Sequence, residues 1–595
     1  MVFHVAQAEA EQVVRSAVAP TIGELWRRGA SAGFTRPAFL VRDESGWRPV
    51  GWDEAAERVS ALANGFLSAG IRKGDKVALL CRTRVEWTLA DYALATIGAV
   101  LIPVYPTSSP AEIEYILRDS EAKVLIAEDE EQLVKTRGVE ADLPALELVL
   151  GIDIPGSGGT LGEIEAAGAP YAVEHPDAVA HAAADVGPDD VLTFLYTSGT
   201  TGNPKGCVLS QHNYAMMVDS VVQVENLFRD DDTVLLFLPL AHNFARLIQF
   251  LGAALGFTLA YCPDVRGVSA ALMEVKPTLF PSVPRVYEKV FATVKVTAAE
   301  SSPAKRRIAD WAFAVGEKKV RGGTGPLLAL QAALADKLVL GKVRARMGGR
   351  MRYAVSGGAP LAPEIAEFFA ACGVTILEGY GMTECTTAAT MNRPGANRIR
   401  TVGPALPGIE LKIGDLGEIL IRGETVFGGY YRNPQATADS LMEDGWLRTG
   451  DIGTIDADGY LTITDRLKDI IITAGGKNVS PQVIENSLKA SPYVSQALVV
   501  GDNRPYIVAL LTVDKDEVAS LGAPDSPEVR AALQRTVEEV NATLGRVEQI
   551  KRFALLPRDF SVDEGEITPT LKLKRRICIE HFQAEVEQLY AGAGE

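Results

Sequence analysis

The segment Tyr196-Thr197-Ser198-Gly199-Thr200-Thr201-Gly202-Asn203-Pro204-Lys205-Gly206 decides how the rest of the chain is interpreted. It follows an apolar run at 191–195, which is typical of a buried strand. Its eleven residues carry five hydroxyl groups, three glycines and one lysine. Glycines let consecutive backbone N–H groups point inward, and the hydroxyls and the lysine add donors and positive charge. The segment therefore predicts a loop that binds polyphosphate, although its spacing is not that of the Gly-x-x-x-x-Gly-Lys-Ser/Thr loop.

Length and composition set the class of protein. The 595 residues are enough for two or more domains, and 47% hydrophobic with 23% charged residues is typical of a soluble globular enzyme. The net charge of −17 argues against nucleic acid as a partner. The six cysteines lack CxxC or disulfide-framework spacing, which favours a reducing, cytoplasmic setting. We expect no signal peptide, and the longest apolar tract, 234–257, is too interrupted to span a bilayer.

Positive charge is concentrated between Arg285 and Arg352. This stretch contains 15 Lys/Arg and 5 Asp/Glu, a net charge of +10. A solvated helical face is one interpretation, and a surface for anionic lipid headgroups or for the phosphates of a nucleotide thiol is the other. The sequence leaves both open, so peripheral contact with the inner face of a membrane is one hypothesis. The oligomeric state stays undetermined.

Short apolar runs alternate with stretches of helical periodicity over most of the chain. This alternation predicts an α/β fold in which a large N-terminal domain, 1–464, holds stacked and mainly parallel sheets. The segments 410–423 and 459–464 predict hairpins and hence a β-rich subdomain. A basic helical insertion is predicted at about 286–350, with a Gly/Pro break at 322–326. The charged run 465–469 predicts a boundary, beyond which 470–595 forms a small α+β domain with a helix, two strands and another helix.

Three further motifs follow the phosphate loop in order. Residues 356–361 read SGGAPL after a predicted strand, and their small side chains let a flat base approach the backbone. Residues 378–384 read EGYGMTE and offer an aromatic face, a hydroxyl for phosphate and a carboxylate suited to Mg²⁺. Residues 445–451 read GWLRTGD and end in an acid that can accept both ribose hydroxyls. Together these motifs offer the cations and oriented donors that chemistry at a phosphate group requires.

The phosphate loop and these motifs, in this order, closely resemble those of the adenylate-forming superfamily of acyl-CoA synthetases, peptide-synthetase adenylation domains and luciferases. The resemblance implies ATP and Mg²⁺ as ligands. It assigns the β- and γ-phosphates to Thr197, Ser198, Gly199, Thr200, Thr201, Gly202 and Lys205. It assigns the α-phosphate to Thr383 and the metal ion to Glu384 with Thr197. It assigns the ribose to Asp451 and Arg466. The residues assigned to adenine are Gly358, Ala359, Pro360, Glu378, Gly379 and Tyr380.

Residues 564–576, EGEITPTLKLKRR, resemble the last motif of the superfamily, in which a lysine stabilises charge on the scissile phosphate. Gapless alignment puts Thr568, Thr570, Lys572 and Arg575 in register. Lys572 is therefore the expected catalytic lysine, acting with Thr383 and Glu384. Leu571 stands where the superfamily usually has glycine, so Lys574 stays an alternative.

The boundary also resembles a superfamily motif, the hinge about which a mobile C-terminal domain turns between half-reactions. Residues 465–469 read DRLKD, and the resemblance makes Lys468 the pivot. It further implies that Gly475 and Gly476 lie against the coenzyme A tunnel after the domain has turned. A single domain that presents two faces in turn is physically reasonable, since adenylation and thiolation need different groups at one carbonyl.

The resemblance is most specific to long-chain fatty acid–CoA ligases. Residues 444–485 resemble the fatty acyl-CoA synthetase signature. Residues 238–246 (LPLAHNFAR) resemble the acyl gate of these enzymes, and residues 281–289 (PSVPRVYEK) resemble a segment typical of the long-chain enzymes. The resemblance implies activation of a fatty acid to acyl-AMP with release of pyrophosphate, followed by thioesterification with coenzyme A. His242, Asn243 and Gly381 are the expected acyl-pocket residues, although a lone histidine more often packs or caps a helix.

Three other functions are alternatives to this one. An amino-acid adenylation domain would usually carry an acidic residue near 245–250, where this chain is mostly apolar. A fatty acyl-AMP ligase that serves a carrier protein would typically carry an insertion near the boundary, and none is seen between Arg422 and Lys477. A non-catalytic lipid-binding scaffold would be indicated by a degraded phosphate loop or by loss of Glu384, and the sequence has neither. Acyl chain-length preference and pathway role stay open.

Overall fold

The computed structural model describes residues 19–137, 143–154, 159–197, 203–568 and 572–591. Its largest sheet has eight strands, which lie in this spatial order: Thr390–Met391, Thr375–Tyr380, Tyr353–Ser356, Leu279–Ser282, Thr233–Leu236, Thr258–Tyr261, Phe39–Asp43 and Gly46–Val50. The two edge strands pair antiparallel and the interior strands pair parallel. The predicted α/β fold with mainly parallel sheets is confirmed.

A second sheet has six strands, in the order Leu148–Gly151, Val124–Ala127, Lys76–Leu80, Val100–Val104, Val191–Thr197 and Lys205–Ser210. Only the last pair is antiparallel in this sheet. Its strands read as continuous apolar runs because helices cover both faces, and Val77 to Leu80 are completely buried. The phosphate loop connects its last two strands.

Helices make up most of the remaining chain. The α-helices are Ile22–Ala30, Trp52–Ser68, Val85–Ile97, Pro110–Ser120, Glu130–Val134, Leu161–Glu174, Ala178–Ala184, Gln211–Val222, Asn243–Leu255, Val268–Val275, Pro284–Ala299, Pro303–Val320, Pro326–Ala335, Gly341–Arg346, Pro363–Ala371, Pro434–Ser440, Pro481–Lys489, Lys515–Val518, Pro527–Asn541, Arg575–His581 and Gln583–Tyr590. Short 3₁₀ turns lie at Val265–Gly267, Thr383–Cys385 and Asp415–Gly417, and a π-helical turn lies at Asp336–Leu340. The segment predicted as a helical insertion is helical from Pro284 to Arg346, with a break between Val320 and Pro326, and its being an insertion stays a prediction.

Three smaller sheets follow along the chain. The first is antiparallel and contains Glu410–Ile413, Glu418–Arg422, Leu447–Ile455 and Leu461–Arg466. Ile471–Ile472 pairs with Asn478–Val479, and Val494–Val500, Ile507–Val513 and Ile550–Leu555 form a three-stranded sheet. The sequence pattern missed the strand Ile550–Leu555, because charged residues at 551 and 552 face solvent and interrupt its apolar run. The division of the chain at 465–469 stays a prediction.

A fully buried ion pair connects the helices that lie between the two large sheets. Arg246 of Asn243–Leu255 donates to both carboxylate oxygens of Asp91 in Val85–Ile97, at 2.9 and 2.5 Å, and both side chains are 0% exposed. Gln249 donates to Asp91 Oδ2 at 2.8 Å and accepts from Thr88 at 2.8 Å. The Arg246 guanidinium also lies 5.4 Å from the ring centre of Tyr214. The pair therefore fixes the position of the helix that starts at the predicted acyl gate.

We expect Asp91→Ala to lower the free energy of unfolding by about 3–5 kcal/mol, because it leaves the Arg246 charge buried without a counterion. Urea denaturation followed by tryptophan fluorescence measures this loss. The matched control is Arg266→Ala, which breaks an ion pair with Asp264 that is exposed to solvent and should change stability by less than about 1 kcal/mol. Equal small losses in both variants would contradict the role given to the buried pair.

Candidate active site

The phosphate loop is held at both of its ends by the six-stranded sheet. Thr197 and Lys205 are paired across the two antiparallel strands, and Thr197 Oγ1 donates to Lys205 O at 3.4 Å. The loop residues Ser198, Gly199, Thr200, Thr201 and Gly202 lie outside the described residues. The strand pairing nevertheless brings the first and last predicted phosphate ligands to one place.

Glu384 lies close to this loop through a residue that sequence analysis missed. Tyr430 donates to Glu384 Oε1 at 2.6 Å, and Lys205 Nζ lies 5.1 Å from the centre of the Tyr430 ring. Backbone bonds from Val208 to Gly429 and from Tyr431 to Gly206 tie this segment to the strand that leaves the phosphate loop. The glycine pair before Tyr430 is a weak signal for such a loop, and nothing in the sequence pairs it with Glu384.

The turn that carries Thr383 and Glu384 ends in strained backbone. Thr386 and Thr387 have φ values of 55° and 106°, which are unfavourable for β-branched residues. Thr386 Oγ1 donates to Thr425 O at 2.6 Å and so holds the turn. Gly381 allows the chain to fold back on itself, since a Cβ there would lie 2.1 Å from Thr387 O. This close approach explains the glycine, and its place in the acyl pocket stays a prediction.

Asp451 connects the predicted adenine and ribose residues. It accepts from the Tyr380 hydroxyl at 2.7 Å and from Arg466 Nε at 3.0 Å. Burial and the Asp451 charge raise the pKa of Tyr380 well above its usual value, so the phenol stays protonated. Asp451 and Arg466 are fifteen positions apart in sequence. They contact each other because they are paired across neighbouring antiparallel strands.

The two predicted adenine loops meet because their strands are neighbours. Ser356 lies opposite Glu378 in parallel register, so the loop at 357–361 and the end of the strand at 378–380 lie at the same edge of the sheet. Gly358 has a φ of 82°, which favours glycine, and Gly358 and Ala359 are exposed at this edge. Glu378 accepts weakly from Leu361 N at 3.4 Å, and burial raises its pKa to about 7.

His242 caps the helix Asn243–Leu255. Its Nδ1 accepts from Phe244 N at 3.1 Å, so the ring proton resides on Nε2. Burial and the nearby charge of Lys572 lower the pKa of His242 to about 4, which keeps the ring neutral at pH 7. Asn243 is 3% exposed, and its Nδ2 lacks a hydrogen-bond partner among the described residues. The capping role that the sequence left open is present, and the gating role stays a prediction.

Lys572 reaches the same cleft from the C-terminal part of the chain. Its backbone is held in a tight turn, since Thr568 N donates to Lys572 O at 2.8 Å and Lys572 N donates to Thr568 Oγ1 at 3.1 Å. The side chain is exposed. Desolvation by the surrounding protein and the charge of Arg466 lower the pKa of Lys572, whereas the charges of Asp451 and Glu384 oppose that change. Thr570 and Leu571 lie outside the described residues, and Lys574 begins the next helix as its N-cap.

The predicted hinge and thiol-tunnel residues lie on the surface. Lys468 is exposed, and Gly475 and Gly476 lie in an exposed turn between Thr473 and Lys477. A Cβ at Gly475 would meet only Thr473 Oγ1, at 3.9 Å, so this position tolerates a side chain in the present domain arrangement. Arg575 ties the hinge to the C-terminal part, since it pairs with Asp469 at 3.7 Å and with Glu485 at 2.5 Å.

A divalent cation fits the chemistry of Glu384 and Thr197. Tyr430 occupies Oε1 of Glu384, and in the part of the chain that is described Oε2 has no hydrogen bond, so it can bind a hard cation. No group of three or more His, Cys, Asp or Glu side chains able to hold a metal occurs among the described residues. Such a site therefore needs oxygen ligands from a bound phosphate, as is usual for Mg²⁺.

Comparison with known proteins identifies the class. The family model described as AMP-binding enzyme matches residues 26–431, and that described as AMP-binding enzyme C-terminal domain matches 468–594. This chain therefore belongs to the AMP-binding enzyme family.

Named relatives are similar over nearly their whole length. The chain is 41% identical to the long-chain-fatty-acid–CoA ligase FadD15 of Mycobacterium bovis, over 91% of this chain and 92% of that protein. It is 31% identical to the long-chain-fatty-acid–CoA ligase ACSBG2 of Xenopus laevis, over 96% and 84%. Among solved structures, the adenylation domain of a carboxylate reductase from Mycobacterium chelonae matches with a TM-score of 0.77 and 26% identity, over 98% and 93%.

The raised pKa of Glu378 predicts a specific pH dependence of stability. The protonated carboxyl favours the folded state below the unfolded value of 4.5, and this contribution is lost as the pH rises through about 7. Between pH 4.5 and pH 8 we therefore expect Glu378→Gln to gain about 3 kcal/mol of stability relative to the unmodified protein. Urea denaturation of both proteins at several pH values measures the difference, and a difference independent of pH would contradict the assignment.

Proposed function

We propose that this chain is a long-chain fatty acid–CoA ligase that works through two half-reactions. In the first, a fatty acid carboxylate attacks the α-phosphate of ATP and forms acyl-AMP with release of pyrophosphate. In the second, the thiol of coenzyme A attacks the acyl carbonyl, and AMP leaves. The observation that carries the proposal is the set of contacts that orient the predicted site carboxylates: Asp451 accepts from Tyr380 and Arg466, and Glu384 accepts from Tyr430, whose ring lies beside Lys205. Membership of the family and the names of the relatives support it.

The phosphates of ATP would lie at the loop between Thr197 and Lys205. Lys205 offers a cation, Thr383 would contact the α-phosphate, and Glu384 with Thr197 would hold Mg²⁺. The bound metal would neutralise phosphate charge that otherwise repels the attacking carboxylate. The strained turn after Glu384 supports this placement, because strained backbone is common where a side chain must be held for function.

The nucleoside would bind where the two adenine loops meet. Exposed Gly358 and Ala359 with Pro360 offer backbone to a flat base, and Glu378, Gly379 and Tyr380 would line its other side. Asp451 and Arg466 would hold the ribose. The hydrogen bonds of Tyr380 and Arg466 to Asp451 support this role, because they orient a carboxylate that can accept from two hydroxyl groups.

The acyl chain would enter beside His242, Asn243 and Gly381. The helix from Asn243 to Leu255 buries mostly apolar residues, and each buried CH₂ contributes about 0.8 kcal/mol of binding. A neutral His242 suits a gate, since it does not attract the fatty acid carboxylate away from the α-phosphate.

Lys572 would stabilise the charge that develops on the scissile phosphate, and it does so from the C-terminal domain, 470–595. After adenylation this domain would turn about 465–469 with Lys468 as the pivot, and Gly475 with Gly476 would then line the coenzyme A tunnel. Both glycines are exposed in the present arrangement. This supports the proposal, because an exposed loop is accessible to the thiol once the domain has rotated.

Incubation with ATP, palmitate and coenzyme A tests the function directly. We expect palmitoyl-CoA, AMP and pyrophosphate by mass spectrometry. Accumulation of palmitoyl-AMP that transfers only to a carrier protein would favour the acyl-AMP ligase alternative. Absence of turnover would favour a lipid-binding scaffold.

The same assay, run as single turnovers, separates the half-reactions. Lys572→Ala should slow formation of palmitoyl-AMP by about 10²–10³-fold and largely spare conversion of supplied palmitoyl-AMP to palmitoyl-CoA. Gly475→Leu is the matched control and should do the reverse, since a side chain there has room in the adenylating arrangement. Equal damage to both half-reactions in both variants would contradict domain alternation.

The basic helical segment carries an exposed apolar face that could contact a membrane. The helix Pro326–Ala335 reads PLLALQAALA, and Leu327 and Leu330 are 69% and 70% exposed. Leu334 and Leu338 continue the stripe at helical spacing and are 50% and 39% exposed. A contiguous row of large apolar side chains in solvent marks an interaction surface. Among the described residues, no helix is both long and apolar enough to cross a bilayer.

We propose that this face lies on an anionic lipid bilayer. Lys318, Lys319, Lys337 and Lys342 are exposed and flank the leucine helix in sequence. The segment carries a net charge of +10 in a chain of net charge −17, so an anionic surface attracts this face and repels the remainder. Long-chain fatty acids partition into bilayers, and contact there would bring the ligase to its substrate.

We expect Leu327→Asp with Leu330→Asp to lower co-sedimentation with phosphatidylglycerol-containing vesicles by at least about tenfold, and added salt to weaken it further. Leu416→Asp is the control, because Leu416 is 82% exposed and lies outside the insertion, in the 3₁₀ turn Asp415–Gly417 between two strands of the four-stranded sheet. Unchanged sedimentation of the double variant would contradict lipid contact. A leucine-dependent dimer in lipid-free solution would assign the face to a second copy of the chain instead.

A further inference from the structure

A helix of the N-terminal domain contacts the C-terminal domain directly. The helix Pro284–Ala299 starts just after the strand Leu279–Ser282, which neighbours the strand that ends at the adenine loop. In its first turn Arg285 donates from Nη1 to Ser495 O at 3.0 Å and from Nη2 to Ser495 Oγ at 2.9 Å. A guanidinium that donates twice to one residue fixes orientation as well as distance.

This contact ends in a buried network of the C-terminal domain. Ser495 is 2% exposed and lies in the strand Val494–Val500. Its hydroxyl accepts from Arg285 and donates to Asp559 Oδ2 at 3.0 Å. Asp559 also accepts from Thr512 in the neighbouring strand. Arg285 is therefore anchored to the sheet of the C-terminal domain and not to a mobile surface side chain.

Complementary charge extends the contact along the same helix. Lys289 Nζ lies 3.9 Å from Asp516 Oδ2, and Thr293 Oγ1 lies 3.2 Å from Glu517 Oε1. Arg285 also lies 4.0 Å from Asp514. A basic and hydroxylic helix face thus meets an acidic turn at 514–517, which favours one docking orientation over others.

Arg285 is placed where its own helix does not favour it. The first turn of a helix presents unpaired N–H groups and the positive end of the dipole, so a cation there is disfavoured. Glu288 offsets part of this cost from 3.6 Å away. The positive charge therefore makes its principal contacts outside the helix, in the C-terminal domain.

We propose that Arg285 is a positioning residue that holds the C-terminal domain in the orientation that places Lys572 in the cleft. The inference rests on the proposed two-step function, in which this arrangement serves adenylation and another serves thioesterification. Arg285 does not touch the substrates in this role. It shifts the balance between two domain orientations, because its hydrogen bonds to Ser495 exist in one of them.

Single-turnover kinetics of the two half-reactions test the inference. Arg285→Ala should lower the ratio of the adenylation rate constant to the thioesterification rate constant by about tenfold, and Thr293→Val should lower it less. Arg285→Lys should recover only part of the loss, since lysine keeps the charge but not the paired geometry. Arg266→Ala, which removes an exposed arginine paired within its own loop, should leave the ratio unchanged.

Cross-linking provides a readout that does not depend on activity. The double variant Lys289→Cys/Asp516→Cys should react rapidly with a short bismaleimide, since all six native cysteines are buried. The linked enzyme should form palmitoyl-AMP but not palmitoyl-CoA, and adding Arg285→Ala should slow cross-linking. An unchanged ratio of half-reactions together with an unchanged cross-linking rate would overturn the inference. Failure of the unmodified protein to form palmitoyl-AMP would instead overturn the proposed function.

Discussion

The buried pair of Asp91 and Arg246 constrains the rest of the N-terminal domain. Two charges at 0% exposure are stable only together, so the helices that carry them cannot slide or separate without a large loss of stability. Gln249 and Thr88 extend the hydrogen-bond network across the same helix pair. The helix that Arg246 holds begins at His242, whose pKa is affected by Lys572 of the C-terminal domain. The position of one wall of the cleft thus depends on an ion pair that does not face the cleft.

The cleft itself balances charges of opposite sign. Lys205, Arg466 and Lys572 bring positive charge, and Glu384 and Asp451 bring negative charge. Tyr430 holds Glu384 at one oxygen, and Tyr380 and Arg466 hold Asp451 at both oxygens. A reaction between a carboxylate and a triphosphate needs this surplus of oriented cations. Lys572 comes from a segment more than 180 residues beyond Glu384, so the cation supply depends on how the C-terminal domain is docked. Arg285, at the other side of that interface, is therefore as relevant to the chemistry as a residue within the cleft.

The order of motifs and the α/β fold were accessible from the sequence for a simple reason. Parallel strands covered on both faces read as continuous apolar runs, and the loops after them collect at one edge of the sheet. Ser356 and Glu378 are an example, since two successive strand ends predicted two loops that the register then brought together. Ile550–Leu555 was missed because its exposed charges hide the pattern. Tyr430 was missed because its contact with Glu384 depends on a loop that folds back across the strand after the phosphate loop.

By itself, the sequence determined the chemical class of each loop: a hydroxyl- and glycine-rich anion site, a small-residue platform for a base, an acid for a ribose and a lysine near the C-terminus. Residue type carries that information because it follows from which groups can donate, accept or bear charge. Only the tertiary structure decided which of these groups share a cleft. It also decided that His242 caps a helix with a neutral ring and that Arg285 contacts Ser495 in the C-terminal domain. Arg285 and Ser495 are 210 positions apart, and their contact depends on burial and docking geometry, which local sequence patterns do not encode.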